Sequence, residues 1–200
     1  MTSDIRKIAI VGSGGSGKSW LATRLHEATG LPLFHLDKEL WQPGWVMPPR
    51  EEVAARQQEI VQGERWIVDG NYNHTMGLRF AAADLVIFLD INRITCLWSA
   101  MRRAGKKRAD MPDFLTEPSV FSKDSREFYR WIWSYPRVGR KAVLDWHARY
   151  PATAFLRVTT RRQMNRLVRQ WQAQGKVSRI TPQPGILEKL FVTTRGGAVR

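Results

Sequence analysis

A lysine and a hydroxyl side chain stand directly behind a run of glycines in Gly12-Ser13-Gly14-Gly15-Ser16-Gly17-Lys18-Ser19. The octapeptide fits G-x-x-x-x-G-K-[ST], the phosphate loop. Glycines at 12, 14, 15 and 17 let successive backbone N–H groups turn inward as a nest and approach phosphate oxygens without side-chain obstruction. A helix starting near Lys18 adds its positive end, Lys18 can reach the β- and γ-phosphates, and the Ser19 hydroxyl is placed to coordinate Mg²⁺. These eight residues therefore predict a site for ATP or GTP with Mg²⁺.

A rival reading starts from the same residues. Gly12 to Gly17 also satisfies G-x-G-x-x-G, and Asp37 lies 20 residues past Gly17, where a dinucleotide fold keeps its ribose-binding acid. Lys18-Ser19 decides between them, because a dinucleotide site has no special need for a lysine and a hydroxyl after its third glycine, whereas phosphoryl transfer uses both.

The elements that must position the loop follow from hydrophobic pattern. Ile8–Val11 reads as a buried strand, and Lys18 to about Thr29 as a helix closed by Gly30. Further strands are expected at 33–36, ending at Asp37, at 66–68, ending at Asp69-Gly70, at 84–90, a continuous apolar run between two acids, and at 154–158. Helices are expected at about 50–63 after Pro48-Pro49, at 93–104, through Phe128, Trp131, Ile132 and Tyr135 with an interruption at Pro136, and at 161–174. Strands alternating with helices imply an α/β fold with a parallel sheet and a ligand at the carboxyl ends of the strands, where Gly12, Asp37, Asp69 and Asp90 all fall. Asp90 reads as a helix cap rather than a metal ligand. Ser19 precedes Trp20, which is expected to pack the first helix against the sheet, and the single cysteine, Cys96, is expected to be buried packing.

At 200 residues the chain suits one domain. No apolar run approaches the roughly 18 residues of a spanning helix and no signal-peptide pattern is present, so a cytoplasmic protein is expected, without a membrane partner. The formal net charge is +14 and uneven: residues 1–100 hold 10 Lys/Arg against 11 Asp/Glu, residues 101–200 hold 22 against 7. A basic second half calls for a polyanionic partner, either a phosphorylated small molecule or a nucleic-acid backbone.

Beyond the first loop the order of features over about residues 5–175 resembles the nucleoside monophosphate kinase group of P-loop proteins, which includes adenylate and shikimate kinases. The resemblance implies a five-stranded parallel sheet flanked by helices, with a basic lid at about 102–126 inside a domain spanning 1–175, and a separate tail at 176–200. It makes Asp69, in Trp66-Ile67-Val68-Asp69-Gly70, the acidic magnesium partner beside Ser19, and turns Asp37 toward the acceptor. An Asp at such a position can also be only a turn residue bonding its own backbone, and that alternative stands for both. Adenylate kinases carry Phe-Pro-Arg after the Asp-Gly where this chain has Asn71-Tyr72, so Arg79 is the candidate substitute for their phosphate-gripping arginine. Arg103, Arg108 and Arg126 are the candidate lid arginines, or else part of a solvated or nucleic-acid-binding face.

More narrowly, Leu36-Asp37 with Trp41-Gln42-Pro43-Gly44-Trp45, the stretch Trp66–Tyr72, and Arg102-Arg103 through Arg108 to Phe128, Trp131 and Ile132 resemble the DNA topology modulation protein family. Trp41 and Trp45 can stack on a ring or pack their own loop, and Asn71, Tyr72 and His74 are candidates to line the acceptor pocket. The implied activity is ATP- and Mg²⁺-dependent phosphoryl transfer to a small acceptor, a nucleotide among the candidates. The alternative is a nucleic-acid-associated regulatory NTPase affecting DNA topology.

Overall fold

A computed structural model describes residues 5–173. The expected tail at 176–200 and the last two residues of the expected domain lie outside the described residues. In chain order the elements are β1 (Lys7–Gly12), α1 (Lys18–Thr29), β2 (Leu33–His35), α2 (Leu36–Leu40), α3 (Arg50–Gln62), β3 (Trp66–Asp69), a 3₁₀ turn (Asn73–Thr75), α4 (Met76–Ala82), β4 (Leu85–Leu89), α5 (Arg93–Arg103), α6 (Lys123–Ser134), α7 (Gly139–Arg149), β5 (Ala154–Val158) and α8 (Arg161–Ala173). The strands form one five-stranded sheet in the order β2-β3-β1-β4-β5, every pair parallel.

Alternate residues of the central strands feed two cores, which is why β1 and β4 are apolar throughout. Ile8, Ile10, Ile87 and Leu89 pack with Leu21 and Leu25 of α1 and Met164 and Leu167 of α8. Ala9, Val11, Val86 and Phe88 face the other way, toward Val53 of α3, Phe80 of α4 and Val143 of α7. Burying one such aliphatic or aromatic side chain contributes about 1.5–3 kcal/mol, so both faces of the sheet resist splaying at the end that carries the loops.

Register brings the expected site residues to one edge. Ile10 pairs with Asp69, His35 pairs with Asp69 from the other side, and Gly12 pairs with Leu89, one residue before Asp90. Asp37 differs from expectation: β2 stops at His35, and Asp37 sits in the first turn of α2, where the macrodipole favours an acid.

Asp90 is not the cap of α5. Asn92 fills that place, its side chain accepting from the Ile94 N–H at 2.8 Å. The buried Asp90 carboxylate instead accepts from Arg140 Nε of α7 and Arg157 Nε of β5, each at 2.9 Å, tying three elements together beside the loop. Both arginines remain partly exposed, so solvent screening reduces the strength of this triad.

Candidate functional site

The phosphate loop is formed in the described structure and held from outside. Gly17 caps α1 at φ 97° and Gly15 lies at φ 72°, both in the left-handed region that favours glycine. A Cβ on Gly15 would also overlap the Cys96 carbonyl oxygen of α5, and one on Gly14 would stand 2.5 Å from Phe128 Cζ and 3.1 Å from the Trp131 ring of α6. Lys18 Nζ donates to Ser13 O at 3.0 Å across the loop. Burial draws the Lys18 ammonium below its ordinary pKa, while the charges of Asp37 and Asp69 act the other way. Ser16 Oγ is buried and has no hydrogen-bond partner among the described residues.

Two acids face this lysine. Asp37 is pushed above the usual carboxylate range by burial, against the opposing charge of Lys18, and Tyr72 OH donates to its Oδ1 at 2.9 Å. Asp69, 4% exposed, pairs through Oδ1 with His35 Nδ1 at 2.5 Å. Burial works against a charged His35, but the hydrogen bond and charge of Asp69 outweigh it and hold the imidazole above its ordinary pKa.

Arg79 corrects a sequence expectation. Its residue exposure is 0%, and it does not line the cavity beside the loop. Its Nη1 donates to Gly70 O at 2.6 Å and its Nη2 to Asn71 O at 2.7 Å and Tyr72 O at 3.4 Å. Burial lowers its pKa to about 10. The guanidinium is thus spent on the turn that carries Tyr72, a residue at φ 34°, to Asp37; it organises the site from behind.

The basic stretch between α5 and α6 lies down on the loop. Met111 and Leu115 are buried, Arg108 donates to Glu117 Oε1 at 2.5 Å and pairs with Asp110, and Arg103 Nε lies 2.9 Å from the same Glu117 oxygen. Asp110 is held below the usual carboxylate range: burial opposes this, but Arg108 and a hydrogen bond with Ser19 prevail. Arg126 is elsewhere, in a shallow surface depression with Leu97, Tyr129, Arg130 and Trp133. The arginine that does join Arg103 and Arg108 is Arg161, whose Nη2 donates to Gly15 O at 3.1 Å and to Ser99 Oγ at 3.0 Å.

These groups enclose a cavity of about 530 Å³ lined by the loop, Lys18, Ser19, Asp37, Tyr72 and the three arginines, with Trp41, Phe128 and Trp131 as aromatic walls. Trp20, expected to pack inward, also lines it and is 40% exposed. Asn71 is part of the wall; His74 is exposed outside it. A second cavity of about 520 Å³ adjoins and shares Asp37, Trp41, Arg103, Arg108 and Phe128. No cluster of three His, Cys, Asp or Glu able to hold a metal occurs among the described residues. The donor set still fits Mg²⁺, which takes few protein ligands beside substrate phosphates and water: the Ser19 hydroxyl lines the cavity as a hard oxygen donor, and Asp69, close enough for its charge to act on Lys18, lies outside the lining, where a carboxylate reaches such an ion through its waters.

Arg161, Asp110 and His35 were not singled out from sequence. A signal for Arg161 was present: it opens a helix two residues after Thr159, at the carboxyl end of β5, the same edge that holds Gly12 and Asp69. For Asp110 and His35 the partners are distant in sequence and no local pattern announces them.

No protein-family model and no curated protein matches the chain. Among solved structures, shikimate kinase from Acinetobacter baumannii in complex with shikimate is similar at 14% identity with a TM-score of 0.51, covering 85% of this chain and 94% of that one. Shikimate kinase from Bacteroides thetaiotaomicron is similar at 16% identity and 0.49, covering 85% and 98%. A sugar kinase from a Janibacter species is similar at 12% identity and 0.48, covering 88% and 99%. Among the described residues no helix is long and apolar enough to cross a membrane. The five-stranded, all-parallel sheet flanked by helices, with its glycine loop at the end of the middle strand, is the shikimate-kinase-like P-loop NTPase fold.

Proposed function

We propose that the chain is a kinase: it transfers the γ-phosphoryl group of ATP, or GTP, to a hydroxyl of a small acceptor, with Mg²⁺. One observation carries this reading. The phosphate-loop cavity and the second cavity share a wall that includes Asp37, Arg103 and Arg108, so a carboxylate and two arginines stand between a place for a triphosphate and a place for another molecule. A simple hydrolase needs no such second chamber.

In this reading the backbone nest from Gly12 to Gly17, with Ser13 and Ser16, cradles the phosphates, and Lys18 leaves Ser13 O to meet them. Arg103, Arg108 and Arg161 neutralise charge on the transferring group, and the segment at 102–126 acts as the lid. Ser19 would hold Mg²⁺ and Asp69 would orient the waters around it, the metal supplying neutralisation of phosphate charge when bound. Asp37, elevated in pKa, orients the acceptor hydroxyl and receives its proton. The test is ADP release across a panel of hydroxyl compounds. Lys18→Ala is expected to lower ATP affinity or turnover by about tenfold or more, a change of about 1.4 kcal/mol. Unchanged affinity and rate would remove the reading.

A second reading keeps the resemblance to DNA topology modulation proteins and a cytoplasmic site of action. It is favoured by the outer face of α5 and α6, where Arg93 lies over the Trp133 ring at 4.0 Å and Arg102 over Trp98 at 4.4 Å, a surface suited to phosphate backbones. It requires DNA binding that weakens steeply with salt and turnover that depends on DNA.

A further inference from the structure

The second cavity has a charge balance opposite to that of the chain. Its lining carries the carboxylates Asp37, Glu117, Asp124 and Glu127 against two cations, Arg103 and Arg108. Both arginines are already engaged by carboxylates, Arg103 by Glu117 and Arg108 by Asp110 and Glu117. Asp124 and Glu127 form no ion pair among the described residues. Asp124 has a local reason to be acidic, since it sits in the first turn of α6; Glu127 has none of that kind. Trp41 and Trp45 complete the wall, packed edge to face with ring centroids 5.4 Å apart.

An anionic acceptor such as a nucleoside monophosphate or a carboxylic acid would need a free guanidinium here. The two in the wall are held by Glu117 and Asp110 and, in the phosphotransferase reading, serve the transferring phosphoryl group, which leaves neither for an anion on the acceptor, and Arg79 is buried among carbonyls. Aromatic faces beside unpaired carboxylates recognise a cation instead. The geometry points to an acceptor that is a small hydroxylated amine, its hydroxyl at Asp37, its ammonium against Glu127 and Asp124, and its body on Trp41 and Trp45.

The inference rests on the phosphotransferase reading. The acceptor oxygen forms a bond to the γ-phosphorus while the bond from that phosphorus to the β–γ bridging oxygen breaks. ADP leaves, and the hydroxyl proton passes to Asp37 and then to solvent. The products are a phosphate ester of the amine, ADP and one proton. Both unpaired carboxylates are solvent-exposed, so the ammonium is selected by a modest factor and not by a buried ion pair.

The test uses the full chain with ATP and Mg²⁺ and three matched pairs: glucosamine, ethanolamine and neamine, each with its N-acetylated form, beside AMP and shikimate. ADP release and the phosphorylated product are measured, with calorimetric binding of each compound in the presence of a non-hydrolysable ATP analogue. At least one amine is expected to be phosphorylated, with kcat/KM about tenfold above its acetylated partner. Glu127→Gln is expected to reduce that preference by about fivefold, chiefly through KM. Preferred turnover of AMP or shikimate, absence of binding by every amine, or an amine preference untouched by Glu127→Gln would overturn the inference. If ATP itself fails to bind, or no acceptor of any class supports ADP release, the phosphotransferase reading falls first. Turnover of an anionic acceptor leaves that reading standing and removes only the amine.

Discussion

Replacing Arg79 by methionine removes a buried cation while keeping most of the side chain's length and volume. The guanidinium makes two short hydrogen bonds, at 2.6 and 2.7 Å, and a longer one at 3.4 Å, all to backbone carbonyls of residues 70–72. The variant no longer buries a charge, and that relief offsets much of what the bonds to a cation contribute. What remains is the cost of buried carbonyls left without donors, about 1–1.5 kcal/mol for each of the two short bonds, so the net loss is about 2–3 kcal/mol. With a urea m-value of about 2 kcal/mol/M, the unfolding midpoint should fall by about 1–1.5 M. Arg79→Lys should recover part of the loss, because one ammonium can serve one or two of the carbonyls. A midpoint shifted by less than about 0.3 M together with a raised acceptor KM would refute the reasoning and return Arg79 to the acceptor.

Tyr72→Phe deletes the donor that stabilises the Asp37 carboxylate, so the Asp37 pKa should rise further and the acid limb of the pH profile of kcat/KM should move to higher pH. An unmoved limb would separate Asp37 from proton transfer. The His35–Asp69 pair makes the opposite kind of claim, about stability. Because the folded-state pKa of His35 is raised above 6.5, its contribution is fully present below about pH 6.5 and lost as pH rises through the folded value. The stability difference between wild type and His35→Gln, measured by urea unfolding at about pH 6 and about pH 9, should therefore shrink at the higher pH; a constant difference would show that His35 titrates alike in folded and unfolded chains.

The three central strands were legible because β1, β3 and β4 are continuous apolar runs closed by Gly12, Asp69 and Asp90, a pattern that both covered faces enforce. The helix at 18–29 and the strand at 154–158 fall where periodicity puts them. The short α2 and α4 escaped, having five and seven residues and too few turns to establish a period. The loop was legible because its chemistry is local: glycines, lysine and serine act within eight residues. Arg79 misled because sequence shows that an arginine follows the Asp-Gly but not which way it turns. Here Phe80 and Met76 are buried beside it on α4, and the same helical face takes the guanidinium inward to the carbonyls. The second half's charge was similarly opaque, since pairing by Glu117, Asp110 and Asp90 engages five arginine–carboxylate contacts between residues far apart in the chain or brought together by an irregular loop.

Gly14 and Gly15 are excluded from larger residues for different reasons, and that difference bears on how the loop can drift over evolutionary time. Gly15 meets backbone, the Cys96 carbonyl, and holds a left-handed torsion, so no single exchange elsewhere makes room for a side chain there. The nearest neighbours of a side chain at Gly14 are side chains themselves, the rims of Phe128 and Trp131. A smaller residue at 128 opens the space that an alanine at 14 would fill, which makes 14 and 128 a compensating pair. Across descendants of this chain the two positions should change together, while 15 stays fixed.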